Sequence, residues 1–343
     1  MSNGKANLVF GDTIITLRSL LTAPAAPPNA LKKKMRQLGP EAQKQLVDTL
    51  KETFFNDPGW YRDSKFFDTE PGKKDLYDHV VGRTKNFRTY VVPWIDSFLK
   101  LAGSRILEIG CGTGASTVAM AEQGAIVTGI DINPQALAAA RDRCALYGVE
   151  ASFVQGNAST ELPTITRHRQ YDAVIFFAVM EHLTWKERLA CIRAAWELLG
   201  SSQFLIVVEA PNRLWHTDFH TSFEPFFLWL PDEIAMDYSR FTHREMFKDA
   251  FRDRSEDEPT RKERLARWGR GVSYHDFEIA LDMPASELPV ASAMWDFHRS
   301  SLLKRTASHF TKRRRFSQIL HSLKPSVHLG FFNPSIDIAL CKP

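Results

Sequence analysis

Three glycines, Gly110, Gly112 and Gly114, alternate with other residues at the end of a short apolar segment. Glycine lets the backbone approach a ligand closely and adopt positive φ. The start of the helix expected next would offer free N–H groups to that ligand. This pattern indicates a nucleotide-like cofactor. It also fits the glycine motif of dinucleotide-binding enzymes, with Asp131 at about the expected distance for a ribose contact.

Glu108 lies two residues ahead of the first glycine and helps to distinguish the cofactors. A pyrophosphate at the turn would meet a like charge, which is costly in a desolvated pocket. S-adenosylmethionine carries an ammonium group, which a carboxylate would attract. In the alternative interpretation, Glu108 caps the start of a helix. The sequence thus favours S-adenosylmethionine and keeps an NAD-dependent oxidoreductase as the rival enzyme.

Carboxylates and histidines recur after the later apolar segments, where ligands of parallel sheets bind. They are Glu181, His182, Glu209, His216, Asp218 and His220. We take His182, His216 and His220 as candidate catalytic bases for a hydroxyl or a protonated amine. The alternative interpretation of His182 is a role in packing or helix capping. Alternation in His216, Asp218 and His220 would also suit a metal. Because the segment is expected to be a loop and no ligand from another strand can be named, we predict no metal.

The elements that would position these residues alternate between strand and helix. Apolar segments that suit strands lie at 105–109, 125–130, 151–155, 171–178 and 204–208, and helical patterns lie at 115–123, 134–147 and 184–199. This alternation predicts an α/β fold with a mostly parallel sheet and helices on both faces. Residues 40–55 and 76–99 are also predicted to be helical, the second with an interruption at Pro93.

Four ordered parts of residues 104–209 resemble the class I S-adenosylmethionine-dependent methyltransferases, and in particular their small-molecule branch. These parts are the acidic-x-Gly-x-Gly-x-Gly segment 108–114, Asp131, the loop 156–158 and the segment 177–183. Four features in order are more specific than one glycine loop. The resemblance implies a Rossmann-like sheet of seven strands whose last two form a hairpin, which we expect at residues 327–341 with its turn at 333–335.

The resemblance also implies the contacts of the cofactor. Asp131 would bind both ribose hydroxyls, and Asn157, in place of the more usual Asp, would reach the adenine amino group. An Arg before strand one often binds the methionine carboxylate in this family, for which Arg83 and Arg88 are candidates. The implied cofactor-binding residues are Arg83, Glu108, Gly110, Cys111, Gly112, Gly114, Asp131, Ile132, Asn157, Ala158, Phe177 and Ala178.

The function expected from these residues is methyl transfer to a small or medium-sized organic acceptor. Oxygen is the first choice of acceptor atom because imidazole and carboxylate groups stand where a base is needed; carbon and nitrogen remain open. The segment after strand four lacks the Asn/Asp-Pro-Pro-Tyr pattern of amino-directed nucleic-acid methyltransferases. A protein that binds partners and merely retains the cofactor fold is the alternative outside enzymes.

We divide the chain into four regions. Residues 1–100 form an N-terminal arm and helical lid region, residues 101–209 the cofactor-binding core, residues 210–290 an inserted substrate cap, and residues 291–343 a C-terminal helix with the terminal hairpin. The cap is rich in aromatic residues that would line an apolar pocket or pack as the core between cap and sheet. An aromatic loop at residues 60–67 would close the same pocket.

Composition excludes several classes of protein. The 343 residues are 44% hydrophobic and 24% charged, which is ordinary for a soluble globular protein. A net charge of +4 is too weak to indicate nucleic acid, and no apolar stretch approaches the 20 residues of a membrane span. The four cysteines form no C-x-x-C pair, so we expect a reduced, cytoplasmic protein. The oligomeric state is left open.

Overall fold

The computed structural model describes residues 35–56, 64–166, 170–301 and 307–343. Its strands are β1 (Arg105–Ile109), β2 (Ile126–Asp131), β3 (Ser152–Gln155), β4 (Ala173–Phe177), β5 (Phe204–Pro211), β6 (Val290–Ala293) and β7 (Ser335–Cys341). They form one sheet in the order β3-β2-β1-β4-β5-β7-β6. Strands β1 to β5 pair in parallel, whereas β7 is antiparallel to both β5 and β6. The predicted α/β fold with a mostly parallel sheet of seven strands is confirmed.

Helices cover both faces of this sheet. Those before β5 are α1 (Pro40–Glu52), α2 (Glu70–Tyr77), α3 (Arg83–Asn86), α4 (Val92–Asp96), α5 (Ala115–Ala121), α6 (Pro134–Tyr147), α7 (Ala158–Ile165) and α8 (Trp185–Leu198). In β1, Leu107 and Ile109 join one hydrophobic cluster, while Ile106 joins another. Because successive side chains of a strand point to opposite faces, these two clusters are the cores on the two sides of the sheet.

Local sequence signals set several helix ends. The side chain of Asn133 accepts hydrogen bonds from two backbone N–H groups of α6, and Gly148 ends that helix in the left-handed conformation. Thr184 and Glu187 form a reciprocal capping box at the start of α8. These two helices follow β2 and β4, so their caps fix the loops at the carboxyl edge of the sheet.

The N-terminal helical run differs in detail from the expectation. From Glu70 to Asp96 it alternates α-helical segments with π-helical turns at Asp78–Gly82 and Phe87–Val91. Next to Pro93, the N–H of Val92 donates to the carbonyl of Phe87, five residues back. The hydrogen-bond register of the helix therefore shifts just before Pro93, which has no N–H to donate. Helix α1 ends at Glu52 and a 3₁₀ turn follows at Phe54–Asn56; Trp60 and Tyr61 of the aromatic loop lie outside the described residues.

The predicted terminal hairpin at residues 327–341 is wrong. Only its second strand exists, as β7, while Leu329–Phe332 forms a 3₁₀ turn. Besides β5, strand β7 pairs antiparallel with β6, and two helices, α13 (Met294–Ser301) and α14 (Ala307–Leu323), lie between β6 and β7 in the chain. An apolar run does not by itself distinguish a buried turn from a strand. The short β6, Val-Ala-Ser-Ala, carries too little hydrophobic pattern to be recognised.

An insertion follows β5 and contains helices α9 (Asp232–Tyr238), α10 (Glu245–Ala250), α11 (Glu258–Trp268) and α12 (Tyr274–Leu281). Part of it has a small hydrophobic core of its own, formed by Phe227, Leu228, Ala235, Met236, Phe247, Phe251 and Leu265. Helix α12 instead packs on the main core through Phe277. Aromatic residues of the insertion therefore serve first as packing, whereas Phe226 and Trp229 are about half exposed.

Two further properties bear on the expectations from composition. Cys111, Cys144, Cys191 and Cys341 are all free thiols, three of them buried. Among the described helices, none combines the length and the apolar character that crossing a membrane requires.

Candidate cofactor and acceptor site

The glycine loop joins β1 to α5 at the carboxyl edge of the sheet. Gly110, Gly112 and Gly114 have φ values of +71°, +50° and +76°, a region that L side chains rarely adopt. A Cβ on Gly110 would lie 2.5 Å from a methyl of Val179, whereas one on Gly112 would meet no described atom within 4 Å. The backbone N–H groups of Gly110 and Cys111 both donate to the Ile130 carbonyl. Gly110 thus packs against the turn after β4, and Gly112 borders open space.

Asp131 ends β2 beside this loop. Its two carboxylate oxygens accept hydrogen bonds from the N–H of Gly112 at 2.8 Å and of Asn133 at 2.9 Å. Burial raises the pKa of Asp131, and each oxygen keeps a further acceptor position. The next side chain, Ile132, is 66% exposed. A partly buried carboxylate next to an exposed apolar side chain suits a ribose joined to an aromatic base.

Glu108 lies beneath the loop and does not face the open space. Its carboxylate is fully buried and accepts hydrogen bonds from the hydroxyls of Ser116 and Thr117 in α5. Burial raises the pKa of Glu108 to about 7. Glu108 therefore anchors α5 to β1 through these two hydroxyls.

A buried arginine that was not predicted from the sequence also contacts the glycine loop. Arg143, on α6, is fully buried and donates to the backbone carbonyls of Thr113 and His79 at 2.7 Å. Burial lowers its pKa to about 10. The sequence shows only that Arg143 is a charged residue in the alanine-rich helix 134–147. Because charged residues are usually solvated, this does not predict its burial. Arg143 connects the glycine loop to the N-terminal helical run.

Asn157 and Ala158 begin α7 after β3. The Asn157 side-chain oxygen accepts from the N–H and the hydroxyl of Ser159 at 2.9 and 2.7 Å, as an N-cap residue does. This oxygen is therefore already occupied, and the amide NH₂ is the part of Asn157 left for a ligand. Ala158 is buried.

The turn after β4 completes this edge. Ala178 has φ of +47°, and its N–H donates to the carbonyl of Val208 on β5. The ring of Phe177 packs edge-on against Phe87, with centroids 4.1 Å apart. A non-glycine residue in this conformation is uncommon, and such strain concentrates at functional sites.

The two candidate arginines differ sharply. Arg88 forms a buried ion pair with Glu122 and also donates to the Arg36 carbonyl, so it is used in packing. Arg83 is 43% exposed and has only a long contact of 3.5 Å to Asp78. The charge of Arg83 lowers the pKa values of His182 and His220, although burial lowers them more. Arg83 is thus the arginine near the site.

Three side chains meet beyond the turn: Glu181, His182 and His220, referred to below as the EHH cluster. The Nε2 atoms of His182 and His220 lie 3.9 and 3.8 Å from Oε1 of Glu181. The two imidazole centroids are 4.8 Å apart. Glu181 is fully buried, and burial raises its pKa to about 8. Burial lowers the pKa of His182 and, more strongly, that of His220, so both imidazoles are neutral near pH 7.

Buried polar contacts hold this cluster in place. Arg188 of α8 donates to the carbonyls of Met180, Leu183 and Gly271 and forms an ion pair with Asp276. It thereby joins the turn at Met180–His182 to the insertion. Arg188 was not among the predicted site residues, because nothing in a helix of alternating polar and apolar residues marks which arginine turns inward.

The third candidate base, His216, lies apart from the EHH cluster. Its ring stacks near Trp215 and Phe316, with centroids 5.1 and 4.6 Å away, and its Nδ1 contacts the hydroxyl of Thr217. Asp218 is buried and accepts from the backbone N–H groups of residues 220–222. Residues 216, 218 and 220 therefore do not converge on one point, and Asp218 shapes the loop that presents His220.

Comparisons with known proteins agree with this geometry. Residues 106–201 match the family model described as a methyltransferase domain. The chain is 38% identical over 92 residues to a ubiquinone biosynthesis O-methyltransferase of Stutzerimonas stutzeri, covering 27% of this chain and 39% of that protein. It is 37% identical over 122 residues to the protein of the same name from Pseudomonas aeruginosa (strain LESB58), covering 34% and 50%. The chain thus spans half or less of the length of these curated relatives.

A solved structure with a partial likeness is magnesium protoporphyrin IX methyltransferase from Synechocystis PCC 6803 with bound SAH. It is 25% identical, covers 49% of this chain and 73% of that chain, and superposes with a TM-score of 0.36. The match at residues 106–201 coincides with β1 to α8, which contain the glycine loop, Asp131 and the turn after β4. Residues 106–201 of this chain are therefore similar to a methyltransferase domain.

Proposed function

We propose that this protein transfers the methyl group of S-adenosylmethionine to an oxygen atom of a small organic acceptor. The observation that carries the proposal is the position of the EHH cluster. Glu181 and His182 of this cluster follow β4 and come shortly after Val179, the residue that packs on Gly110 of the glycine loop. The neutral imidazoles of His182 and His220 are therefore close to the edge where the cofactor would present its methyl group.

The cofactor contacts are part of the proposal. Asp131 would accept hydrogen bonds from both ribose hydroxyls, and exposed Ile132 would cover one face of the adenine. Gly112 borders the space that the ligand would fill. Arg83 would bind the methionine carboxylate. The Asn157 side-chain oxygen already accepts two hydrogen bonds, so it is not available to the adenine amino group. The Asn157 NH₂ would instead donate a hydrogen bond to a ring nitrogen of adenine.

The remaining implied residues support the cofactor indirectly. Glu108 anchors α5 under the loop, and its nearby charge favours the cofactor's ammonium group without direct contact. Cys111 and Gly114 shape the loop, since Cys111 donates to the Ile130 carbonyl and Gly114 begins α5. Ala158, Phe177 and Ala178 form the apolar floor.

The reaction is a direct displacement. The acceptor hydroxyl gives its proton to an imidazole of the EHH cluster, and the oxygen lone pair forms the bond to the methyl carbon. The carbon–sulfur bond breaks, and its electron pair stays on sulfur, which yields S-adenosylhomocysteine. Much of the rate comes from alignment and exclusion of water, and a positioned base contributes about 10² to 10⁴-fold.

The size and location of the acceptor follow from the surroundings of the cluster. The EHH cluster is bordered by the insertion, whose Arg267 carbonyl contacts His182, so a small acceptor fits better than a macromolecule. The relatives named above are O-methyltransferases, which supports oxygen as the acceptor atom. We also propose a cytoplasmic location, in keeping with four free thiols.

Calorimetric titration with S-adenosylhomocysteine, with NAD titrated in parallel, tests the cofactor. We expect micromolar binding of the first ligand and none of the second. A panel of phenols, aliphatic alcohols, amines and activated carbon acids, each incubated with S-adenosylmethionine, then tests the acceptor by formation of S-adenosylhomocysteine. Binding of NAD alone would overturn the proposal, and turnover restricted to amines or carbon acids would overturn the choice of oxygen.

A further inference from the structure

The EHH cluster brings three potential ligand atoms together in a way that its hydrogen bonds do not explain. One carboxylate oxygen of Glu181 and one ring nitrogen each of His182 and His220 lie within 4.8 Å of one another. His220 comes from the loop after β5, while Glu181 and His182 follow β4. A cluster built from two separate segments requires both to be positioned by the rest of the fold.

Hydrogen bonds fix which ring nitrogens face inward. Nδ1 of His182 lies 2.7 Å from the Arg267 carbonyl, which can only accept, so this nitrogen carries the proton. The Thr221 hydroxyl donates to the Gly269 carbonyl, so its oxygen accepts from Nδ1 of His220 at 3.3 Å. In both neutral imidazoles, Nε2 therefore presents a lone pair, and both lone pairs face Glu181.

The carboxyl group of Glu181 adds a third potential ligand and forms no hydrogen bond with either imidazole. Its side chain is fully buried, and neither carboxylate oxygen has a hydrogen-bond partner among the described residues. The distances of 3.8 and 3.9 Å to the two imidazoles are too long for hydrogen bonds. A buried carboxylate without a partner costs free energy unless it is neutralised or coordinates a metal. Without a metal ion, the proton that the raised pKa of Glu181 implies neutralises this carboxyl. A metal ion would replace that proton and bind all three groups.

We propose that Glu181, His182 and His220 hold one divalent transition-metal ion, with zinc as the type case. Two imidazoles and one carboxylate with an open fourth position form the ligand set of catalytic zinc sites. In a tetrahedral site with ligands about 2.0–2.2 Å from the ion, ligand atoms are roughly 3.3–3.6 Å apart. The observed separations need only small side-chain movements to reach these values. Magnesium and calcium prefer oxygen ligands and fit less well.

The surroundings of the cluster match those of a metal site. Ligating histidines usually donate their other ring N–H to a carbonyl or another fixed acceptor, as His182 does to Arg267 and His220 to Thr221. A second carboxylate, Glu209, is near enough to raise the pKa of Glu181 by its charge, although burial raises it more. The charges of Arg83, Arg188 and Arg244 oppose a cation, and the two carboxylates offset part of that effect.

This site changes the role of the imidazoles, and the change rests on the proposed function. With the ion bound, His182 and His220 are ligands and no longer bases. The acceptor hydroxyl would bind the open position and release its proton to water, because a bound divalent ion lowers the pKa of a coordinated hydroxyl. Its oxygen would then form the bond to the methyl carbon as the carbon–sulfur bond breaks. The acceptor class is thus a hydroxyl compound whose oxygen reaches the ion.

The test uses the full chain after treatment with a chelator. Calorimetry with Zn²⁺ should give one site per chain, and Co²⁺ should produce the visible absorption of a four-coordinate site. Glu181→Gln and His220→Ala should each weaken binding at least about 100-fold. His243→Ala is the matched control, since that histidine is 89% exposed and outside the cluster; it should bind as the native chain does.

The outcomes separate the site from the proposed function. Absence of stoichiometric binding, or equal affinity in Glu181→Gln and the native chain, would overturn the metal site. A native melting temperature and unchanged S-adenosylhomocysteine binding in the variants would show that they remain folded. Methyl transfer that persists in the chelator-treated chain would overturn the role in the reaction and leave the methyltransferase standing. Stoichiometric metal in a chain that binds no S-adenosylhomocysteine would support the site and overturn the proposed function.

Discussion

The cofactor side and the acceptor side of the candidate site are assembled differently. On the cofactor side, contacts are short-range in sequence: Gly112 donates to Asp131, 19 residues later. On the acceptor side, His182 contacts the carbonyl of Arg267, 85 residues later. The first side is a property of one strand–turn–helix unit and its neighbour. The second depends on how the insertion folds back onto β4, so it is more sensitive to changes far from it in sequence.

The largest expected effect comes from Arg188, which holds the acceptor side together. Arg188→Met would leave three buried carbonyls and the Asp276 carboxylate without their donor. Breaking a buried ion pair in this way costs about 3–5 kcal/mol. We expect the free energy of unfolding in urea to fall by this amount. Arg193→Met is the control, because Arg193 is exposed on the same helix and makes one 3.3 Å contact; equal losses in both variants would contradict the special role of Arg188.

Asp131→Ala tests the cofactor side alone. The variant lacks the acceptor for two ribose hydroxyls, and hydrogen bonds to charged groups contribute about 1.5–3 kcal/mol each. Affinity for S-adenosylhomocysteine should fall at least about 100-fold in calorimetry. Asp142→Ala, on the exposed face of α6, should change it less than about twofold. Native affinity in Asp131→Ala would show that the cofactor lies elsewhere.

A pair of glycine substitutions compares the side of the glycine loop that borders open space, at Gly112, with the side that packs on Val179, at Gly110. Gly112→Ala adds a methyl that no described atom opposes, at φ of +50°, so the expected cost to stability is only about 1–2 kcal/mol of backbone strain. Its methyl would occupy ligand space, and S-adenosylhomocysteine binding should weaken. Gly110→Ala collides with Val179 and should destabilise the fold more. The reverse ranking in urea unfolding would contradict the assignment of the open side.

The last prediction concerns Glu108 and the pH dependence of stability. Its folded-state pKa of about 7 lies above the ordinary value of 4.5, so the folded chain binds this proton more tightly than the unfolded chain. Stability from this group is therefore lost as pH rises from about 4.5 to 7, by at most about 1.4 kcal/mol per pH unit. Glu108→Gln should show a flatter dependence in urea unfolding between pH 5 and 8. Exposed Glu150→Gln should follow the native curve; a constant offset for Glu108→Gln would refute the raised pKa.

Strands β1 and β2 were predictable because each combines an apolar run with a glycine or an acidic residue at its end. β6 was not predicted, and residues 327–332 were wrongly predicted to be a strand. Both errors arise because pairing at the antiparallel edge depends on packing between elements far apart in sequence. Phe331, for example, is buried although it lies in a 3₁₀ turn. The Pro93 region shows a milder case, in which a helix shifts its hydrogen-bond register and continues.

Sequence by itself determined the parts of the site that depend on backbone conformation and short-range order. Glycines at positive φ, an acidic residue ending β2 and the side-chain caps of the helices after β2, β3 and β4 can be recognised from neighbouring residues. Only the tertiary structure decided that His220 joins Glu181 while His216 packs against Trp215. It also buried Glu108 against the hydroxyls of Ser116 and Thr117. Side chains that meet across long sequence distances, such as Glu181 and His220, carry no local pattern, because their proximity is fixed by packing of whole elements.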